Sequence, residues 1–128
     1  MNKLVIDVAS EKIFLMIITK DDIYNITKEN TKINFDKLTL IVMDFLYSNS
    51  LKLDDIQKIY VNRGPGSFAG IRNSLSLVKA FYVSKKIDYY CYSFNDFKDQ
   101  KDIKYKDIPN LCDKFKIKKN LIKPIYLS

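Results

Sequence analysis

The chain has 128 residues, with 22 Lys and Arg against 15 Asp and Glu, a formal charge of +7 and no histidine. At 47% hydrophobic and 29% charged, this is the composition of one ordinary globular core rather than of a disordered or fibrous chain. Lack of histidine removes Ser-His-Asp and Cys-His catalysis, His-ligated metals and imidazole proton transfer, which leaves Asp and Lys for any acid-base work. The longest apolar run, Leu38 to Tyr47, is broken by Thr39 and Asp44 and is about half the length that spans a bilayer. Asp7 interrupts the apolar N-terminal run before it resembles an export signal. A cytoplasmic protein without membrane contact is therefore expected. Cys91 and Cys112 cannot supply four zinc ligands and are read as small buried thiols, so no metal site is expected.

The first three elements are short and rich in Val, Ile and Phe. Lys3 to Ala9, Lys12 to Thr19 and Ile23 to Thr27 are separated by Ser10-Glu11 and Asp21-Asp22, which predicts three antiparallel strands. Lys37 to Asn49 places Leu38, Ile41, Val42, Phe45 and Leu46 at helical spacing. A second stripe, Leu40, Met43 and Tyr47, points away from that face. Next come a strand, Lys58 to Asn62, a glycine-rich turn, a helix from about Ala69 to Lys85 and a strand, Tyr89 to Ser93. This second helix also carries two stripes, Ile71, Leu75, Val78 and Tyr82 on one side and Leu77, Ala80 and Phe81 on the other. The order βββαβαβ predicts a mixed five-stranded sheet with two main helices, as in ribonuclease H-like and actin-like lobes. Two helices apolar on both sides are hard to bury in so short a chain, and they point to a partner that supplies helices of its own.

Residues 1–97 form the expected lobe, and residues 98–128 are a short basic remnant. Residues 98–123 hold nine Lys and four Asp, a net +5 of the total +7. Lys98 to Asp107 reads as a loop, Leu111 to Lys119 as a short helix, and Lys123 to Leu127 as a final edge strand starting near Pro124.

The chemistry concentrates in ten residues. All three glycines (Gly64, Gly66, Gly70), Pro65 and both arginines (Arg63, Arg72) lie between positions 63 and 72. Every other cationic residue is Lys, so arginine here implies a demand for a planar guanidinium with several donors. Glycines between a strand and a helix allow positive φ and close backbone approach, and Ser67 is placed to cap the helix. Free N–H groups at that point attract anions. The same segment also reads as a tight turn without a ligand, and its spacing matches neither the Walker loop nor the dinucleotide fingerprint.

The run Val61-Asn62-Arg63-Gly64-Pro65-Gly66-Ser67-Phe68-Ala69-Gly70-Ile71-Arg72 resembles the Gly-Arg-Gly-Pro-Gly-Ser-Phe-Thr-Gly-Leu-Arg motif of the TsaB (YeaZ) family, proteins needed to make threonylcarbamoyladenosine in tRNA. Leu4-Val5-Ile6-Asp7 resembles the family's opening strand. Asn34-Phe35-Asp36-Lys37-Leu38 stands where the family has His-Ser-Glu-x-Leu, Lys79 matches the lysine of its second helix, and Pro124-Ile125-Tyr126-Leu127-Ser128 is similar to its late Pro-x-Tyr-Leu-Arg. Val8, Ala9, Asn34 and Ala69 replace polar residues of the family pattern, leaving fewer groups for a phosphate. The family's second lobe of roughly a hundred residues is largely absent, so this is a shortened form.

The resemblance implies a single actin-like (ASKHA) lobe acting as a non-catalytic scaffold. Its two helices would pack on those of the catalytic paralogue TsaD through Leu40, Met43, Tyr47, Leu77 and Phe81. TsaD transfers the threonylcarbamoyl group to the adenosine beside the anticodon, and the ATPase TsaE resets the assembly, so tRNA is reached through the complex. Asp7, Arg63, Gly64, Gly66, Ser67, Gly70 and Arg72 are the residues that would border an ATP or ADP at the joint interface, or would only shape the lobe. No tightly bound cofactor is expected, and two apolar helices make a homodimer plausible in the partner's absence. Two alternatives compete. A stand-alone ASKHA-type enzyme would use Asp7 and the Gly64 to Gly70 loop, and a small basic RNA-binding module would use Lys114, Lys118 and Lys119 of the tail.

Overall fold

Alternate residues along each central strand face opposite sides, and here both sides are apolar. Leu4 and Ile6, Ile13, Leu15 and Ile17, Ile59 and Val61, and Tyr89 and Cys91 form one core. Val5, Met16, Tyr60 and Tyr92 begin a second. The strands carrying them are β1 (Lys3–Asp7), β2 (Lys12–Ile18), β3 (Ile23–Glu29), β4 (Lys58–Asn62) and β6 (Asp88–Tyr92). They form the expected five-stranded mixed sheet in the order β3-β2-β1-β4-β6. β1 is antiparallel to β2 and parallel to β4, and β4 is parallel to β6. The computed structural model describes residues 1–10, 12–29 and 31–127, and of Phe35 and Leu127 the backbone alone. Glu11, expected in the first turn, and Ser128 lie outside the described residues. No described helix is long and apolar enough to cross a membrane.

One face of the sheet carries α1 (Lys32–Asp36), α2 (Leu38–Ser48) and α3 (Phe68–Lys85). α2 buries Leu38, Val42, Phe45 and Leu46, the face its spacing predicts, with Ile41 half-buried. α3 buries a wider arc, Ile71, Ser74, Leu75, Leu77, Val78 and Phe81. The expected second stripe of α3 is therefore corrected. Leu77 and Phe81 are 7% and 5% exposed and belong to the core, because a helix lying along a sheet buries both flanks of its contact line.

The other face is covered by the C-terminal third. Phe97, Ile108, Leu111 and Cys112 complete the second core against Val5, Met16, Tyr60 and Tyr92. The segment read as a loop contains a 3-10 turn, Tyr105–Asp107, followed by α4 (Ile108–Lys114). This helix starts and ends earlier than the expected Leu111 to Lys119, with Pro109 in its first turn, where a missing N–H costs nothing. The expected terminal strand shrinks to β7 (Tyr126–Leu127). It pairs not with the main sheet but with β5 (Gly66–Ser67) in the glycine-rich turn.

Candidate functional site

The site is built at the C-terminal ends of β1 and β4, where parallel neighbours deliver Asp7 and Asn62 side by side. Asp7 is 4% exposed. Its Oδ1 accepts the Ala9 N–H at 3.0 Å. Its Oδ2 accepts from Asn62 Nδ2 at 3.0 Å and from the Tyr105 hydroxyl at 2.7 Å. Three donors thus satisfy a buried carboxylate, as burial of charge requires. Tyr105 comes from the C-terminal third, ninety-eight residues along the chain. Its ring stacks on Phe14 with centroids 4.0 Å apart. Burial, and then the adjacent Asp7 charge, hold the Tyr105 hydroxyl protonated well above the usual tyrosine range. Beside it the Tyr92 hydroxyl is buried without a hydrogen-bond partner among the described residues, and burial holds its pKa well above the usual tyrosine range.

Arg63 occupies the next position. Its Nη2 donates to Asp96 Oδ1 at 2.6 Å and its Nε to Asp96 Oδ2 at 3.3 Å. Its Nη1 donates to the Lys123 carbonyl at 3.1 Å. The arginine expected to meet an external anion therefore holds an internal one, and the demand for a planar fork is met by Asp96. Asp96 is fixed in turn by the Ser93 N–H at 2.8 Å from its Oδ2.

The glycine-rich turn is packed from two sides. Gly64 has φ +112°, and a Cβ there would lie 2.0 Å from the Ile125 carbonyl oxygen. Ile125 N–H donates to the Arg63 carbonyl at 2.7 Å. Gly66 has no positive φ; its need for glycine is close approach, since a Cβ would stand 2.2 Å from the Ala9 carbonyl oxygen. Ser67 caps α3 as expected, its Oγ accepting the Gly70 N–H at 3.2 Å. Three of the turn's amide donors are committed within the chain: Gly64 N–H to Asn62 Oδ1, Ser67 N–H to the Ala9 carbonyl and Gly70 N–H to Ser67. The geometry is that of a junction between β1, β4, α3 and the C-terminal segment. Arg72 is the exception among the candidates, standing exposed on α3 beside exposed Lys79.

Of the helix positions singled out for a partner, Leu40 and Tyr47 are 56% and 77% exposed, and Met43 is half-buried. Toward the C-terminal end of α3 the exposed apolar positions are Ala80 and Val83, not Leu77 and Phe81; Val83 is 63% exposed. Spacing alone cannot separate the two sets, because Leu77, Ala80 and Phe81 follow the same period and only the tilt of α3 on the sheet decides. A groove between α2 and α3, lined by Asp36, Leu38, Thr39, Asn73, Ser76, Leu77 and Ala80, has a volume of about 430 Å³. No described cluster of three or more Cys, Asp or Glu is placed to hold a metal ion. Cys91 and Cys112 are free and buried, and burial pushes both thiols up to about 12. The residues that sequence reasoning missed are Asp96, Tyr105 and Asn62, whose side-chain partners Arg63 and Asp7 lie thirty-three or more residues away.

No family model and no curated protein matches this sequence. Solved structures do match. YeaZ from Pseudomonas aeruginosa aligns with a TM-score of 0.66 at 20% identity, over 72% of this chain and 43% of that one. An uncharacterized protein with similarity to peptidase YeaZ from Pseudomonas aeruginosa aligns with a TM-score of 0.67, at the same identity and coverage. The chain thus spans less than half the length of the structures it resembles. The likeness shows the fold, a single α/β lobe of the YeaZ kind.

Proposed function

We propose that this chain is a non-catalytic scaffold subunit of the TsaB type. It docks the exposed edge of α2 and α3 onto a TsaD-like catalytic protein and thereby supports threonylcarbamoylation of tRNA adenosine next to the anticodon. The observation that carries the reading is the exposure of three apolar side chains, Leu40 and Tyr47 on α2 and Val83 on α3, each more than half exposed, where α3 begins within a run of the TsaB pattern. Surface of this kind is costly to leave in water and is what a helical partner covers. The interior use of Asp7 and Arg63 supports the non-catalytic part, since both are occupied by groups of the same chain. A TsaE-like ATPase would join the assembly, and any ATP or ADP would sit with the partner. In a reconstituted assay containing the TsaD-like protein, the ATPase, the threonylcarbamoyl donor and tRNA, modification should require this chain and be lost with Leu40→Asp. Full modification without the chain would refute the proposal.

A further inference from the structure

Asp96 accounts for one arginine of the motif, but nothing in the fold accounts for the other. Arg72 is exposed and has no hydrogen bond or ion pair among the described residues; neither has Lys79, seven residues along the same helix. The two stand about 10 Å apart along the axis at the ordinary rise of an α-helix. Both line a cavity of about 250 Å³ between α3 and the C-terminal segment, whose other walls are Leu75, Ser76, Ile122 and Tyr126. Among the described residues, no acidic side chain lines it. Its Tyr126 wall meets Phe68 outside the lining: the two residues are 40% and 52% exposed, and their rings tilt against each other with centroids 4.7 Å apart. Cations two turns apart, unpaired among the described residues, beside part-exposed aromatic rings combine backbone neutralisation with base stacking. Two separated cations suit successive phosphates of a strand better than the phosphate of a free mononucleotide, and an acidic peptide would use the cations but leave the rings idle.

We propose that this cleft binds single-stranded RNA, with phosphates on Arg72 and Lys79 and a base against Tyr126 and Phe68. Lys79 lies one turn before Val83 on the same side of α3, so the cleft adjoins the proposed docking surface; its test uses the chain alone and is separate from partner docking. It also differs from binding by the lysines of the tail.

The test is fluorescence anisotropy of a labelled oligouridylate of about twelve nucleotides, a length within the site sizes of single-strand binders, with the purified chain at low salt. Arg72→Gln and Lys79→Gln should each weaken binding several-fold and lower the slope of log K against log salt by about 0.7. Tyr126→Ala should weaken it about tenfold. Lys28→Gln and Lys114→Gln, exposed positions elsewhere, remove the same charge and should leave affinity nearly unchanged. Equal weakening by these controls, or no binding at low salt, overturns the proposal. Displacement by polyglutamate as readily as by unlabelled RNA reassigns the cleft to an acidic protein and also overturns it, as does displacement by ATP as readily as by unlabelled RNA. An unchanged melting temperature for Arg72→Gln checks that the variant folds.

Discussion

Replacing Arg63 with methionine keeps most of the side chain's apolar length and removes its donors. Three hydrogen bonds disappear, two to the Asp96 carboxylate and one to the Lys123 carbonyl. Arg63 and Asp96 side chains are 13% and 19% exposed, so the pair is mostly but not fully withdrawn from water. Breaking a fully buried pair costs about 3–5 kcal/mol; residual exposure, and the Ser93 N–H that still serves Asp96, place this site at the lower end, about 3 kcal/mol. For a chain of this size that amounts to a fall in melting temperature of about 12 °C. Asp96→Asn should cost less, about 2 kcal/mol, because the amide oxygen retains the Ser93 contact while the charge is lost. The double variant should be less destabilised than the sum by about 1.5 kcal/mol, the signature of a direct contact. Chemical denaturation of the four proteins measures the cycle, and hydrogen exchange of residues 120–127 reads whether the C-terminal segment loosens. Additive effects with unchanged exchange would refute the assignment of Arg63 as the tie between the lobe and its C-terminal segment.

Other consequences follow from the same geometry. Gly66→Ala should cost about 2–3 kcal/mol by driving a Cβ into the Ala9 carbonyl, measured by urea unfolding; an unchanged midpoint would mean that β1 and the turn separate freely. Tyr92→Phe should be neutral or stabilise by about 1 kcal/mol, since its hydroxyl is buried without a partner among the described residues. Tyr105→Phe should instead cost about 1–2 kcal/mol by removing one of the Asp7 donors, so reversal of the two signs in thermal melts would contradict the hydrogen-bond assignment. With burial raising Cys91 and Cys112 from 9.0 to about 12, the thiol form is favoured in the folded state. Stability is then fully present below about pH 9 and falls as pH rises from about 9 toward 12, where the unfolded chain alone loses its protons. Native protein at pH 8 should resist alkylation that proceeds at once in denaturant, and rapid labelling of the folded chain would overturn this burial.

The parts of the fold that local pattern determines were legible: the strands from their β-branched runs, α2 from its core spacing, and the α3 cap from Ser67. Three features were not. The burial of Leu77 and Phe81 depends on how α3 lies on the sheet. The role of Tyr105 depends on a contact with Asp7 across most of the chain, and a segment of Lys and Asp gives no periodic sign of it. A strand over Lys123 to Leu127 was expected, but its shrinking to the two residues of β7 and its pairing with the glycine-rich turn rather than the main sheet depend on tertiary contacts that strand length and alternation do not register. The arginine count was informative about chemistry but silent about partner: the fork at Arg63 was legible, its acceptor Asp96 was not.

Docking is tested most directly by co-expressing the chain with a TsaD-like protein and measuring mass by light scattering during size-exclusion chromatography. A stoichiometric complex is expected, lost on Leu40→Asp and Val83→Asp, with both variants retaining the melting temperature of the parent because the side chains are exposed. Absence of a complex, or a complex indifferent to both substitutions, would contradict the scaffold reading.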